Sequence, residues 1–141
     1  FAILMLDVDN FKKYNDCYGH QAGDDCLRAI AQAFEAAIEK TNAEGLAKDA
    51  FAARYGGEEF AVVIPGVSVA AYEICAESVL ESVRQLKIPH EQNAGWGIVT
   101  ASIGGCRRET ASGEVASVFR DADAALYQAK KAGRNRVEFA R

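Results

Sequence analysis

The hexapeptide Tyr55–Phe60, which reads YGGEEF, constrains the fold of this 141-residue chain more than any other feature. Its two glycines predict a tight turn, because glycine accepts a positive φ without a steric cost. The two glutamates that follow lead directly into the apolar run Phe60–Ile64. The segment is therefore predicted to be a β-hairpin that carries adjacent carboxylates at its tip, where they suit a hard cation such as Mg²⁺.

A second acidic pair, Asp7 and Asp9, follows another apolar run, Phe1–Leu6. Residues two apart on a strand point to one face, and the carbonyl of Val8 lies between them as a third candidate oxygen ligand. If this strand neighbours the hairpin, the two acidic pairs converge on one metal-binding edge. Each pair taken alone is equally compatible with a solvated strand end, and adjacent glutamates on a regular strand point to opposite faces.

The composition is that of one soluble globular domain, with half of the residues hydrophobic and about a quarter charged. The net charge of −4 argues against non-specific binding of nucleic acid, which needs a basic surface. No apolar run approaches the roughly 20 residues of a membrane span. The four cysteines form no CxxC pair, which favours reduced thiols and a cytoplasmic location.

Hydrophobic periodicity predicts the element order β-α-α-β-β-α-β-α-β. Consecutive strands without an intervening helix favour an α+β sheet with helices packed on it over a strictly alternating βαβ fold. The predicted strands are Phe1–Leu6, Phe51–Arg54, Glu58–Ile64, Trp96–Ile103 and Arg136–Ala140, and the predicted helices are 10–18, 24–40, 68–87 and 114–132. Asn10 is expected to cap the first helix, residues 19–24 to form a loop or to lead into the next helix, and Gly104-Gly105 to close the fourth strand.

Two polar clusters could contact a nucleotide. The first follows the first strand and contains Lys12, Asn15, Asp16, His20 and Asp24. A carboxylate and an amide together can read the edge of guanine, although these residues also commonly cap helices. The second cluster, Lys130, Lys131, Arg134 and Arg136, lies at the end of the last helix. Its cations could clamp phosphates, or they could simply complement the negative end of the helix dipole.

With these residues laid out, the chain closely resembles the GGDEF family of diguanylate cyclases over nearly all of its length. Five blocks carry the resemblance in order: DVDNFKKYND at 7–16, GHQAGD at 19–24, RYGGEEF at 54–60, SIG at 102–104 and DADAALYQAKKAGRN at 121–135. The third letter of the signature is Glu instead of Asp, a variant found in active members. The resemblance implies a nucleotide-cyclase-like core, related to the ferredoxin-like palm of polymerases, with an antiparallel-rich central sheet flanked by helices.

The resemblance also implies an activity, the condensation of two GTP molecules into cyclic di-GMP with release of two pyrophosphates. Each subunit of a homodimer would hold one GTP. Residues implied to bind Mg²⁺, with Mn²⁺ as the alternative ion, are Asp7, the carbonyl of Val8, Glu58 and Glu59. The two glutamates are the implied catalytic residues, and Glu58 is the one more often assigned to removing the proton of the ribose 3′-hydroxyl.

The remaining implied contacts are with the substrate. Those with guanine fall on Asn15 and Asp24, and those with the phosphates fall on Lys12, Lys130 and Arg134. Gly56 and Gly57 are implied to let the backbone approach the nucleotide closely. We take residues 1–141 as one GGDEF domain that lacks the family's usual N-terminal helical segment, and we expect a sensory or dimerising region upstream in a parent protein that could itself be anchored to a membrane.

One departure from the family concerns regulation. The inhibitory RxxD motif corresponds here to Ala47-Lys48-Asp49-Ala50, which contains no arginine, so we expect no product feedback through that site. The alternative function is a catalytically silent GTP-binding regulatory module. Silent members usually lose acids of the motif, whereas this chain keeps them all. A third reading, an effector that senses cyclic di-GMP, is disfavoured by the missing arginine.

Overall fold

The computed structural model describes residues 1–109 and 115–140. Their strands are β1 (Ala2–Val8), β2 (Phe51–Arg54), β3 (Glu59–Ile64), β4 (Ala101–Arg107) and β5 (Val137–Phe139). Their helices are α1 (Phe11–Tyr18), α2 (His20–Ala43), α3 (Val69–Arg84) and α4 (Val115–Lys131). The predicted order of elements is thereby confirmed, although several boundaries move.

The five strands form one sheet in the order β2-β3-β1-β4-β5, and β4–β5 is its parallel pairing. The other three pairings are antiparallel, which confirms the predicted antiparallel-rich α+β sheet. β1 lies at the centre and is buried at all seven positions, which accounts for its uninterrupted apolar run. Its register places Asp7 opposite Glu59 of β3 and opposite Ser102 of β4.

Helices cover both faces of the sheet. Leu4 and Leu6 of β1 point to the larger core, where α2 and α3 pack. The alternate residues Ile3 and Met5 point to the smaller core under α4. Because side chains of a strand alternate between faces, the helix that covers Ile3 and Met5 also lies on the side of Asp7.

The predicted fourth strand was misplaced, because β4 runs from Ala101 to Arg107 instead of from Trp96 to Ile103. Residues 89–98 form a loop closed by a bridge between Pro89 and Ile98, with positive φ at Gly95 and Gly97. The glycines at 104 and 105 do not close the strand but lie inside it. A β-carbon at Gly104 would lie 2.0 Å from the amide nitrogen of Leu126 in α4, so the helix backbone rests directly on this residue.

Two expectations about the first helices were also wrong. Asn10 precedes α1 in the left-handed region, with φ of 53°, and makes no side-chain capping bond; its Nδ2 instead donates to Oδ1 of Asn93, 2.9 Å away. The predicted loop at 19–24 is almost entirely helical, since α2 begins at His20 and a single residue, Gly19 at φ of 93°, separates the two helices. The predicted start of the last helix, residue 114, lies outside the described residues.

Two predictions about composition can be compared with the structure. All four cysteines are free thiols, of which Cys17 is exposed and the others are buried. Within residues 1–109 and 115–140, no helix combines the length and the apolar character that crossing a bilayer requires.

Candidate active site

A cavity of about 220 Å³ opens at the end of β1, where α1, the β2–β3 hairpin and the end of α4 meet. Carboxylates and cations line it together: Asp7, Val8, Asp9, Asn10, Phe11, Lys12, Glu58, Lys130 and Arg134. Six of these were predicted site residues, drawn from segments as far apart as residues 7 and 134. Opposite charges converging in one small cavity make it a candidate site for an anion and a metal ion together.

Asp7 is the most buried acid of the predicted metal set, with 8% of its surface exposed. Its Oδ2 accepts a hydrogen bond from Nζ of Lys130, which the last turn of α4 carries to this point. Its Oδ1 is buried without a hydrogen-bond partner in the described residues. A buried carboxylate oxygen without a partner is costly, and a bound cation is one way to satisfy it.

The two glutamates of the hairpin both come close to Asp7. Glu59 lies directly opposite it in the β1–β3 ladder. Glu58 precedes the strand, lines the cavity with Asp7 and accepts a bond from the amide of Val8 at 3.3 Å through its carbonyl. Burial raises the pKa of Glu58, and the negative charges of Asp7 and Glu59 raise it further against the opposing charge of Lys130.

The negative charge at this site is not limited to Asp7, Glu58 and Glu59. Burial raises the pKa of Tyr55 to about 12, with contributions from Glu59, Asp123 and Asp7. Asp123 of α4 is an acid near the site that the sequence reasoning did not single out. Since like charges at this edge repel one another, their proximity favours protonation or the binding of a cation.

The donor set fits a divalent ion in chemical type. Oδ1 of Asp7 is unpartnered, and the Glu58 carboxyl and the Val8 backbone line the same cavity. These are the oxygen ligands that Mg²⁺ takes in proteins. In the described part of the chain, no group of three His, Cys, Asp or Glu side chains is gathered closely enough to hold a metal by itself.

The hairpin tip is formed differently from the prediction, because neither Gly56 nor Gly57 has a positive φ. Gly56 packs against Glu59: a β-carbon there would lie 2.6 Å from Oε2 of Glu59, so a larger residue would displace that side chain. A β-carbon at Gly57 would instead meet open space, with no neighbouring atom within 4 Å. The guanidinium of Arg54 holds the tip, donating to the carbonyl of Gly56 at 3.2 Å and to that of Gly57 at 2.7 and 3.0 Å.

Asp9 lines the cavity, but unlike Asp7 it has no free oxygen for the predicted metal-binding edge. Its carboxylate is 2% exposed and accepts hydrogen bonds from Thr100 Oγ1 at 2.7 Å, Ser102 Oγ at 2.6 Å and the amide of Asn135 at 3.0 Å. Burial raises its pKa, and these three bonds oppose the shift. With both oxygens already occupied, Asp9 joins β1 to β4 and to the turn after α4.

The predicted guanine contacts lie outside this cavity. Oδ1 of Asn15 is buried without a partner in the described residues, and Asp24 is exposed in α2. Gly23, which the sequence reasoning did not single out, makes room for the amide, since a β-carbon there would lie 1.8 Å from Asn15 Oδ1. An unsatisfied buried amide oxygen near an exposed carboxylate is consistent with a site for a hydrogen-bond donor of a ligand.

The three residues predicted to bind phosphate all line the cavity, but their side chains differ in exposure and in the contacts they make. Lys12 is exposed and forms a surface ion pair with Asp16 at 3.6 Å. Lys130 is partly buried against Asp7. Arg134 lies beyond the end of α4, in a left-handed conformation with φ of 67°. The structure thus brings together Asp7, Val8, Lys12, Glu58, Lys130 and Arg134 at the cavity, while Asn15, Asp24, Gly56, Gly57 and Glu59 lie outside its lining.

Comparison with known proteins agrees with this geometry. The family model described as "Diguanylate cyclase, GGDEF domain" matches residues 1–136. The chain belongs to the GGDEF domain family. Diguanylate cyclase VdcA of Vibrio cholerae is 38% identical to this GGDEF domain over 138 residues, which are 96% of the chain and 38% of that protein. The chain therefore spans little more than a third of the length of that relative.

Solved structures agree on the fold. The GGDEF domain of DgcB from Caulobacter crescentus, solved in complex with c-di-GMP, superposes with a TM-score of 0.78 and 36% identity, over 99% of this chain and 77% of that one. The active GGEEF domain of a diguanylate cyclase from Vibrio cholerae superposes with a TM-score of 0.75 and 31% identity, over 99% of this chain and 82% of that one. The resemblance stated from the sequence is thus confirmed.

The segment that corresponds to the family's inhibitory motif lies just before β2 in this GGDEF domain. Ala47 and Ala50 are buried, whereas Lys48 and Asp49 are exposed. No arginine occurs in this segment. The absence of product feedback through this site stays a prediction.

Proposed function

We propose that this GGDEF domain is the catalytic domain of a diguanylate cyclase, which condenses two GTP molecules into cyclic di-GMP and two pyrophosphates. The observation that carries the proposal is the cavity in which Asp7 and Glu58 meet Lys12, Lys130 and Arg134. Membership of the family and the curated diguanylate cyclases among its relatives support it. The domain would work as a homodimer with one GTP in the cavity of each subunit, because the product joins two nucleotides.

The proposed metal is Mg²⁺, with Mn²⁺ as its substitute. Asp7, Glu58, Glu59 and the carbonyl of Val8 would hold it, beginning with the unpartnered Oδ1 of Asp7. When bound, the ion supplies positive charge to the phosphates and to the attacking oxygen. Lys130 neutralises Asp7 in the present structure, and its long side chain is free to exchange this carboxylate for a phosphate oxygen when nucleotide binds.

The proposed reaction is two in-line displacements. The 3′-oxygen of one GTP attacks the α-phosphorus of the other, its bond to phosphorus forms, and the bond to the β-phosphate oxygen breaks to release pyrophosphate. Glu58 accepts the proton of the 3′-hydroxyl, and its raised pKa makes it a stronger base than an ordinary glutamate. Lys12, Lys130 and Arg134 hold the phosphates, since phosphoryl transfer depends mainly on positioning and on stabilisation of charge.

Guanine selection would rest on Asn15 and Asp24. The buried Oδ1 of Asn15 lacks a donor, and guanine offers N–H groups on its Watson–Crick edge. A carboxylate at Asp24 would accept from the same edge. Adenine lacks that pair of donors, so the arrangement favours GTP over ATP.

The test uses the dimeric parent protein with GTP and Mg²⁺, measuring nucleotide binding, pyrophosphate release and cyclic di-GMP. We expect turnover by the wild type and loss of turnover in Glu58→Ala and in Glu59→Ala, with a smaller effect on GTP binding. Glu39→Ala is the matched control, because Glu39 is an exposed glutamate on α2 far from β1 in sequence. Binding of GTP without pyrophosphate release by the wild type would favour the silent regulatory module instead.

A further inference from the structure

The turn that follows α4 has an unfavourable backbone. Gly133, Arg134 and Asn135 have φ values of 123°, 67° and 51°, so three consecutive residues lie outside the ordinary regions. Glycine adopts such angles freely and asparagine tolerates them, but an arginine rarely does so without restraint from its surroundings. Arg134 is also the residue of this turn that lines the cavity. The amide of Arg134 donates to the carbonyl of Ala129 in α4 at 2.9 Å, which fixes the start of the turn, and further restraint comes from outside it.

Asn135 provides the restraint, because partners from outside the turn bind its amide, its carbonyl and its side-chain oxygen. Its amide donates to Oδ2 of Asp9 at 3.0 Å. From the last residue of α3, Arg84 donates through Nε to Oδ1 of Asn135 at 2.8 Å and through a terminal nitrogen to its carbonyl at 3.0 Å. Asp9, just after β1, and Arg84, at the end of α3, thus both bind Asn135, which immediately follows Arg134.

We infer that Arg84 is a positioning residue for the nucleotide site, acting through Asn135 to hold the guanidinium of Arg134 where it meets the phosphates. This inference rests on the proposed function, which makes Arg134 a phosphate ligand. Arg84 itself is not among the residues that line the cavity, so it does not contact substrate there. A fixed guanidinium binds phosphate more tightly than a mobile one, because less conformational entropy is lost on binding.

The competing explanation is that Arg84 merely stabilises the packing of α3. Substitution by lysine separates the two, because it keeps the positive charge but lacks the rigid, planar guanidinium whose two nitrogens bond Asn135 separately. The Arg134→Ala variant provides a second way to distinguish the two explanations. If Arg84 acts through Arg134, the lysine variant loses its effect once that guanidinium is absent, whereas a general loss of stability would persist.

The experiment measures the affinity of the full-length protein for a non-hydrolysable GTP analogue with Mg²⁺ in four forms: wild type, Arg84→Lys, Arg134→Ala and the double variant. We expect Arg84→Lys to weaken binding about tenfold, the order that loss of hydrogen bonds to a charged group produces. In the Arg134→Ala background, the same substitution should change affinity by less than about twofold. Equal losses in the two backgrounds, or no loss in Arg84→Lys, would overturn the inference.

Glu81→Gln is the matched control. Glu81 accepts from the same guanidinium at 3.1 Å on the exposed side, and its replacement leaves both bonds to Asn135 intact. We expect wild-type affinity in this variant. Asn135→Ala, which removes the acceptor of Arg84 Nε from the other side, should weaken binding in the same direction as Arg84→Lys and serves if the lysine variant fails to fold.

A separate readout distinguishes failure of this inference from failure of the proposed function. Exchange of the Asn135 amide hydrogen, followed by NMR without nucleotide, reports directly on the grip at this turn. We expect at least a tenfold faster exchange in Arg84→Lys and no change in Glu81→Gln. A wild type that binds no GTP would reject the proposed function. Faster amide exchange in Arg84→Lys would even then support the restraint of Asn135 by Arg84. Unchanged exchange would reject the inference whether or not GTP binds.

Discussion

At the scale of single residues, the ionisation of Glu58 links stability to function. Burial and the neighbouring charge of Asp7 raise its pKa in the folded protein above its value in the unfolded chain. The folded state therefore binds a proton more tightly than the unfolded state. Between the two pKa values the free energy of unfolding falls as the pH rises, and above the folded pKa the full penalty is present. Glu58 thus destabilises the unliganded domain at neutral pH.

Replacement of Glu58 by glutamine should accordingly stabilise the protein while removing its activity. We expect a higher melting temperature than wild type near pH 7, and a smaller difference near pH 4, because protonation of the carboxyl as the pH falls relieves its repulsion with Asp7. Cyclase turnover should fall by at least about 100-fold, the order of a lost general base. Thermal unfolding across this pH range and a pyrophosphate assay measure the two effects.

The exposed Glu39 again offers the control, since Glu39→Gln removes a carboxylate on the exposed surface of α2. Its melting temperature should follow wild type at every pH. A Glu58→Gln variant less stable than wild type near neutral pH would mean that the ionised carboxylate is favourably paired in the folded protein. That outcome would contradict the repulsion inferred here.

At the scale of elements, the contact between α4 and β4 places the cations at the acids. Gly104 lets the backbone of α4 rest on the sheet, with Ala122 O and Leu126 N closer than any side chain would allow. On the other face, Gly105 makes room for Tyr72 of α3, whose hydroxyl would lie 2.4 Å from a β-carbon there. Because α4 packs this closely on the sheet, its Lys130 reaches Asp7.

Substitution of Gly104 by alanine should therefore destabilise the domain strongly. The added methyl meets backbone, which cannot rotate away as a side chain could, so we expect a loss of about 1–3 kcal/mol in the free energy of unfolding. Denaturant titration measures it. Gly57→Ala is the control for stability, because open space surrounds that position, and it should change the free energy by less than about 0.5 kcal/mol. A Gly104→Ala variant as stable as wild type would show that α4 can lift from β4 at no cost.

At the scale of the whole molecule, a single chain cannot complete the proposed reaction. The proposal assigns one triphosphate to the cavity of each chain, whereas cyclic di-GMP needs two bonds between two nucleotides. We expect the initial rate per subunit to rise with protein concentration and to level off when dimers saturate. Cyclic di-GMP formation measured over a dilution series, alongside the mass of the particle in solution, checks this. A rate per subunit that stays constant through the range where the protein is monomeric would contradict the dimeric mechanism.

Much of the site could be anticipated from local sequence. The apolar run before Asp7 and the YGGEEF hairpin predicted two strands ending in acids, and the structure places those strands side by side with Asp7 opposite Glu59. What failed was the interpretation of glycine. The pairs at 56–57 and 104–105 suggested turns, yet one makes room for a glutamate side chain and the other for a helix. A glycine needed for close approach looks the same in sequence as one needed for its φ.

The sequence by itself determined the order of the helices and strands and the acids that follow the strands, because alternation and helical periodicity are properties of neighbouring residues. Only the tertiary structure decided what each acid does. Asp7 keeps an unpartnered oxygen at the cavity, whereas Asp9, two residues away, is saturated by Thr100, Ser102 and Asn135. Those partners lie more than 90 positions from Asp9 along the chain, and no local pattern specifies which carboxylate they reach.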